Sequence, residues 1–153
     1  MINSNEWKRE KIIFMETLNL DTDIKVLCVT AKSFPDGIME VFDRLHSFVP
    51  FAEKRRLFGI SRPNKQGEIV YKAALEELHK DEAEKFGCES FVIQKGKYIF
   101  LDKSDYAKDL PGISDAFQKL ISQPNIDPNG YCLEWYLNQK DMRCLVKLDE
   151  TRN

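Results

Sequence analysis

The sequence predicts an α+β fold in which one βαββ unit is used twice and the two copies share a single sheet. Three observations predict it. Phe34-Pro35-Asp36-Gly37-Ile38 leads to Phe42 and Leu45, and Leu110-Pro111-Gly112-Ile113 leads to Phe117 and Leu120. After each Ile the apolar residues recur at i, i+4 and i+7, the stripe of one helix face. A Pro and a Gly punctuate the loop before each stripe, and each stripe is preceded by a β-rich run and followed by two more. The groove where the copies meet is the natural place for a ligand.

The elements follow in order. Met1 to Glu10 is polar and reads as a flexible or loosely packed start. Lys11 to Leu18 is a short strand or strap, and Asp21-Thr22-Asp23 a turn. Lys25 to Lys32 is β-branched and apolar, a strand. The first helix runs from Ile38 to Phe48, and Pro50 ends it. Arg56 to Ser61 and Glu68 to Leu75 form a hairpin around the turn cluster Arg62 to Gly67. His79 to Phe86 is charged and reads as an exposed short helix or loop between the halves. The second half opens with strands Glu89 to Gln94 and Tyr98 to Lys103. A helix from Ile113 to Ser122 follows, then a loop from Pro124 to Gly130. Tyr131 to Leu137 and Met142 to Leu148 make a closing hairpin.

Size and composition bound the function. At 153 residues the chain reads as one domain, 1–153, with no linker to divide it. A hydrophobic share of 42% and a charged share of 31% are ordinary for a globular protein. The formal charge of −2 argues against direct nucleic-acid binding, and the short run Lys54-Arg55-Arg56 reads as a solvated loop. No apolar stretch approaches the ~20 residues that span a bilayer, and no secretory signal opens the chain. Cys28, Cys88, Cys132 and Cys144 have no ligand-like spacing and read as buried, reduced thiols of a cytoplasmic protein. With only His46 and His79, no zinc site or Ser-His-Asp triad is expected, and no metal or cofactor. Gly59, Gly67, Gly96, Gly112 and Gly130 fit turns or bulges and form no phosphate-binding loop.

Alternation in the closing hairpin singles out one acid. Tyr131, Leu133, Trp135 and Leu137 share a face. If Leu137 pairs with Met142, then Met142, Cys144, Val146 and Leu148 join them in a wholly apolar face that packs on the helices. Glu134 then lies on the other face with Cys132, Tyr136, Arg143, Leu145 and Lys147. There it is either an exposed carboxylate paired diagonally with Arg143 or Lys147, or the floor of an aromatic groove. In the second case it binds a cationic or polar organic ligand or acts as a general base. Phe42, Phe48 and Phe117 sit at helix-core spacing and read as packing. Tyr71, Tyr98 and Tyr136 sit on strands, and a cluster of tyrosines around one acid recognises cations.

These residues carry a resemblance. Phe34-Pro35-Asp36-Gly37, Gly59-Ile60-Ser61, Tyr71-Lys72-Ala73-Ala74, Val92-Ile93-Gln94-Lys95-Gly96-Lys97-Tyr98 and Leu133-Glu134-Trp135-Tyr136 occur in that order. The sequence from Ile24 to Leu148 thereby resembles the GyrI-like small-molecule-binding family, the effector-binding domain of AraC-type and MerR-type multidrug-sensing regulators. The resemblance implies two βαββ units in one curved antiparallel sheet, with two main helices on one face and a ligand groove on the other. It implies that Glu134 is the groove's acidic residue and that Tyr71 and Tyr98 occupy aromatic positions. The family often has Pro where Gln94 or Lys95 stands. Ten polar residues before the first strand cannot form a helix-turn-helix, so a stand-alone member without a DNA-binding domain is expected.

Three functions stay open at this point. The first is a module that binds small aromatic or cationic organic molecules through Glu134, Tyr136, Tyr98 and Tyr71. The second is a hydrolase of strained electrophilic compounds, with Glu134 activating water and Tyr98 or Tyr136 donating to the leaving oxygen. The third is a protein-interaction or inhibitor domain that presents the acidic segment Glu76 to Glu84. Oligomeric state is not legible.

Overall fold

In a computed structural model, which describes residues 15–150, the two repeats become matching halves of one sheet. The first half holds β1 (Glu16–Leu20), β2 (Ile24–Thr30), α1 (Ile38–Phe48), β3 (Leu57–Pro63) and β4 (Ile69–Glu76). A short helix, α2 (Glu82–Phe86), leads to the second half. That half holds β5 (Glu89–Ile93), β6 (Gly96–Lys103), a 3-10 turn at Tyr106–Lys108, α3 (Leu110–Ile121), β7 (Cys132–Tyr136) and β8 (Met142–Lys147). The expected loose start at Met1 to Glu10, and the beginning of the strand expected from Lys11, lie outside the described residues.

The eight strands form one antiparallel sheet in the order β1-β6-β8-β7-β3-β4-β2-β5. Exchanging the halves (β1 with β5, β2 with β6, β3 with β7, β4 with β8) reproduces that order reversed. The duplication read from two short motifs is therefore a property of the whole sheet. The halves join where β3 pairs with β7, and each half lends its first strand to the far edge of the other.

Both helices cover the same side of the curved sheet. Val41 and Leu45 of α1 are wholly buried against Leu27 and Val29 of β2 and Tyr71, Ala73 and Leu75 of β4. Ala116, Phe117 and Leu120 of α3 pack on Ile99 of β6 and on Met142, Cys144 and Val146 of β8. The stripes read from the sequence thus become the faces turned to the sheet, with Leu45, Phe117 and Leu120 buried and Ile38, Phe42 and Ile113 partly so. Phe48 is 46% exposed, because α1 ends there and Val49 takes the buried place. The opposite side of the sheet is filled by one apolar cluster that includes Val26, Phe58, Ile60, Ile93, Tyr98, Phe100, Leu133 and Leu145.

α3 begins three residues earlier than its stripe suggests. Pro111 sits in its first turn, where the missing amide proton has no helical partner in any case. Asp109 caps the turn by accepting a hydrogen bond from the Gly112 amide at 3.1 Å. Gly112 is thus a helix residue, not a turn or bulge residue.

The charged segment between the halves is not simply exposed, and Lys54-Arg55-Arg56 is not simply a solvated loop. Glu82 is 4% exposed, and its carboxylate meets the Arg55 guanidinium in two bonds of 2.9 and 2.7 Å. The Leu78 and His79 amides donate to the same carboxylate at 2.6 and 3.0 Å. Arg56 makes a second forked pair with Glu76 and lies over the Trp135 ring at 5.7 Å. The segment Glu76 to Glu84 therefore spends two of its acids on internal pairing. Among the cysteines, Cys28 and Cys144 are buried, whereas Cys88 and Cys132 are partly exposed, and all four are free thiols. Among the described residues, no helix is long and apolar enough to cross a membrane.

Candidate functional site

α1 packs on β2 and β4, and α3 on β6 and β8, so the central pair β3 and β7 lies between the helices. Glu134 stands on this strip. The hairpin register differs by one residue from the expected one: Met142 pairs with Tyr136, not Leu137. Leu137 instead starts the turn, its amide donating to the Asp141 carbonyl at 3.0 Å. A one-residue slip moves every side chain to the other face. Cys132, Glu134 and Tyr136 therefore share a face with Met142, Cys144 and Val146, on the helix side of the sheet. Neither Arg143 nor Lys147 reaches Glu134. Arg143 pairs with Asp102 at 2.7 Å, and Lys147 lies 3.9 Å from both Asp127 and Glu150.

Across the junction, Glu134 is paired with Gly59 of β3. A Cβ on Gly59 would fall on the Tyr71 hydroxyl and on Glu134 Oε1. Gly59 is thus no turn residue. It leaves the hollow in which the acid and the tyrosine meet, the close approach that an isolated strand glycine signals.

Two tyrosines complete the floor. Tyr71 donates its hydroxyl proton to Glu134 Oε1 at 2.6 Å, and Tyr136 donates to the same oxygen at 2.7 Å. Oε2 accepts no hydrogen bond from a described residue. No Lys, Arg or His among the described residues forms an ion pair with Glu134. Burial pushes the Glu134 pKa up from the ordinary carboxylate value, and the two tyrosyl hydrogen bonds only partly oppose it. Tyr71 and Tyr136 are pushed far up in turn, by burial first and the Glu134 charge second, so both hydroxyls keep their protons.

Further rings stand around this floor. Phe34, 43% exposed, stacks on Tyr71 with centroids 5.8 Å apart. Phe42 of α1 presents its edge to Tyr71 at 6.2 Å and to Tyr136 at 5.6 Å. Tyr106, from the 3-10 turn before α3, meets Tyr136 at 5.3 Å. Glu134, Phe42, Tyr106 and Tyr136 are all partly exposed, so the group opens to solvent. Of the residues predicted from the sequence, Glu134, Tyr71 and Tyr136 converge and Tyr98 does not. Tyr98 lies fully buried on the opposite face, donating to the Gln94 carbonyl at 2.6 Å beside the Tyr131 hydroxyl at 2.9 Å.

Sequence reasoning did not single out Phe34 or Tyr106, while Phe42, read as packing, does pack on the α1 cluster and also adds its ring to this group. Phe34 had a signal, since it stands in the first repeat's loop where Leu110 stands in the second. A concavity of about 610 Å³ elsewhere, bordered by Lys25, Glu77, His79 and Phe91, gathers no comparable set of converging groups.

No family model matches the sequence, and no curated protein matches it. Solved structures do match its shape. SAV2435 bound to tetraphenylphosphonium superposes with a TM-score of 0.66 at 11% identity, over 90% of this chain and 94% of that one. An integron cassette protein from the mobile metagenome of Vibrio cholerae gives 0.65 at 9% identity, over 88% and 95%. A Staphylococcus aureus MU50 protein, provisionally called a bacterial transcription regulation protein, gives 0.59 at 12% identity, over 88% and 97%. At such identities the likeness shows the fold alone.

Proposed function

We propose that this protein binds small organic cations of aromatic character between α1 and α3, with Glu134 supplying the charge and Tyr71 and Tyr136 orienting it. The observation that carries this reading is a carboxylate held among rings with no cationic partner among the described residues. Such a group is costly to keep unless something compensates it. Ring faces add a second attraction for a cation, roughly 0.5–2 kcal/mol per well-placed ring. The fold neighbour SAV2435, which holds tetraphenylphosphonium, supports the same ligand class.

Binding is favoured over turnover by the state of the hydroxyls. Both tyrosines sit far above neutrality in pKa and both are committed as donors to one oxygen, so neither is set to shuttle a proton.

The test is calorimetric titration with tetraphenylphosphonium. The intact protein is expected to bind it, and Glu134→Gln to weaken binding tenfold or more, about 1.4 kcal/mol. The exposed control Glu53→Gln is expected to leave affinity unchanged. Affinity should fall on acidification and begin to fall above the ordinary carboxylate range, because the raised pKa of Glu134 removes its charge earlier. Equal affinity in the two variants would remove Glu134 from the site.

A further inference from the structure

We infer that this groove selects cations that carry an N–H donor on the charged nitrogen, that is protonated amines, over quaternary cations built on the same ring. The inference rests on the cation-binding reading and follows from how the Glu134 hydrogen bonds are distributed. Oε1 accepts from Tyr71 at 2.6 Å and from Tyr136 at 2.7 Å, which occupies its two lone-pair directions. Oε2 accepts from no described residue. Glu134 is itself partly exposed, on the side of the group that opens to solvent.

A ligand that covers the floor must therefore cover Oε2. A quaternary cation brings charge but no proton to donate, and leaves a carboxylate oxygen desolvated and unbonded. A protonated amine restores the lost bond, and restores it in the charge-assisted form that is roughly twice as strong as a neutral one. Nothing in the site can do this in the ligand's place. Both hydroxyls are already donating to Oε1, and no Lys or Arg among the described residues is within ion-pair reach. One open oxygen calls for one N–H, so a tertiary ammonium suffices.

The matched probes are N,N-dimethyl(naphthylmethyl)amine, protonated near neutral pH, and N,N,N-trimethyl(naphthylmethyl)ammonium. They share ring, charge and nearly size, and naphthalene fluorescence reports both. In the full chain the tertiary ammonium is expected to bind about tenfold more tightly, the effect of one hydrogen bond to a charged group. In Glu134→Gln both should weaken and the ratio should approach one. If both bind equally, or the quaternary ion binds more tightly, and both weaken in Glu134→Gln, donor selection is overturned while the cation site stands. If neither binds, or the substitution leaves both affinities unchanged, the cation site itself is overturned and this inference with it.

Discussion

Replacing Arg55 by Met is expected to destabilise the protein by about 3–5 kcal/mol, because it strands a buried carboxylate. Arg55 and Glu82 have side chains only 6% and 5% exposed, and their forked pair fastens the β4–α2 connection to the start of β3. Arg55 also donates to the Glu76 carbonyl at 2.9 Å, so two lengths of backbone hang on one guanidinium. Urea unfolding with tryptophan fluorescence measures the loss. The double variant Arg55→Met, Glu82→Leu is expected to recover most of it, since no charge is then left behind.

The pH dependence of this pair separates a lost ion pair from lost packing. The Arg55 hydrogen bond, foremost, and the Leu78 and His79 amides hold the Glu82 pKa down at about 2, against an ordinary 4.5. A depressed carboxylate contributes stability that is fully present above the ordinary value and is lost as pH falls toward about 2. The single variant should lack this acid-range loss. A variant as stable as the parent would show that the pair contributes nothing net.

Gly59→Val is expected to abolish cation binding and to cost a further 1–3 kcal/mol, roughly, from overpacking. Gly59 is buried in mid-strand opposite Glu134, and the first carbon of any side chain there overlaps the Tyr71 hydroxyl and Glu134 Oε1. Backbone strain is not the cause, since Gly59 is not among the positive-φ glycines. The smaller substitution Gly59→Ala combined with Tyr71→Phe takes away the hydroxyl, though the ring carbon Cζ stays 2.8 Å from the added carbon, so the conflict is eased rather than removed. That pair should regain stability relative to Gly59→Ala alone without regaining affinity, a coupling that a double-mutant cycle measures. Unchanged binding in Gly59→Val would mean that the floor of the groove lies elsewhere.

The sheet was legible because its information is local and periodic. Two Pro-Gly motifs with matching stripes announced the repeat, and the cluster Arg62 to Gly67 announced a hairpin, although its turn begins only at Asn64 and β3 runs on through Arg62 and Pro63. Glu134 was legible as a residue but not as a position. Both faces of β7 carry rings, Trp135 on one and Tyr136 on the other, so alternation alone cannot orient the hairpin. The orientation depends on whether the turn starts at Leu137 or after it, and the backbone bond to Asp141 decides that. Tyr98 was misplaced for a related reason: a tyrosine on a strand reads the same on either face.

The remaining walls come from distant parts of the chain. Phe34 and Phe42 reach Tyr71 from a loop and a helix, and Tyr106 reaches Tyr136 from a 3-10 turn. No period links such residues. The Arg55–Glu82 pair was equally hidden, since runs of charge read as solvated until partners are brought together across the fold.

The proposed role of Glu134 rests on its having no ion-pair partner among the described residues. Carbon-13 NMR of the Glu134 side-chain carboxyl, titrated with acid in the presence and absence of tetraphenylphosphonium, tests it most directly. The Glu134 pKa is expected above the ordinary glutamate range in the free protein and is expected to fall when the cation is added. A Glu134 that titrates as an ordinary exposed glutamate, indifferent to the cation, would contradict it.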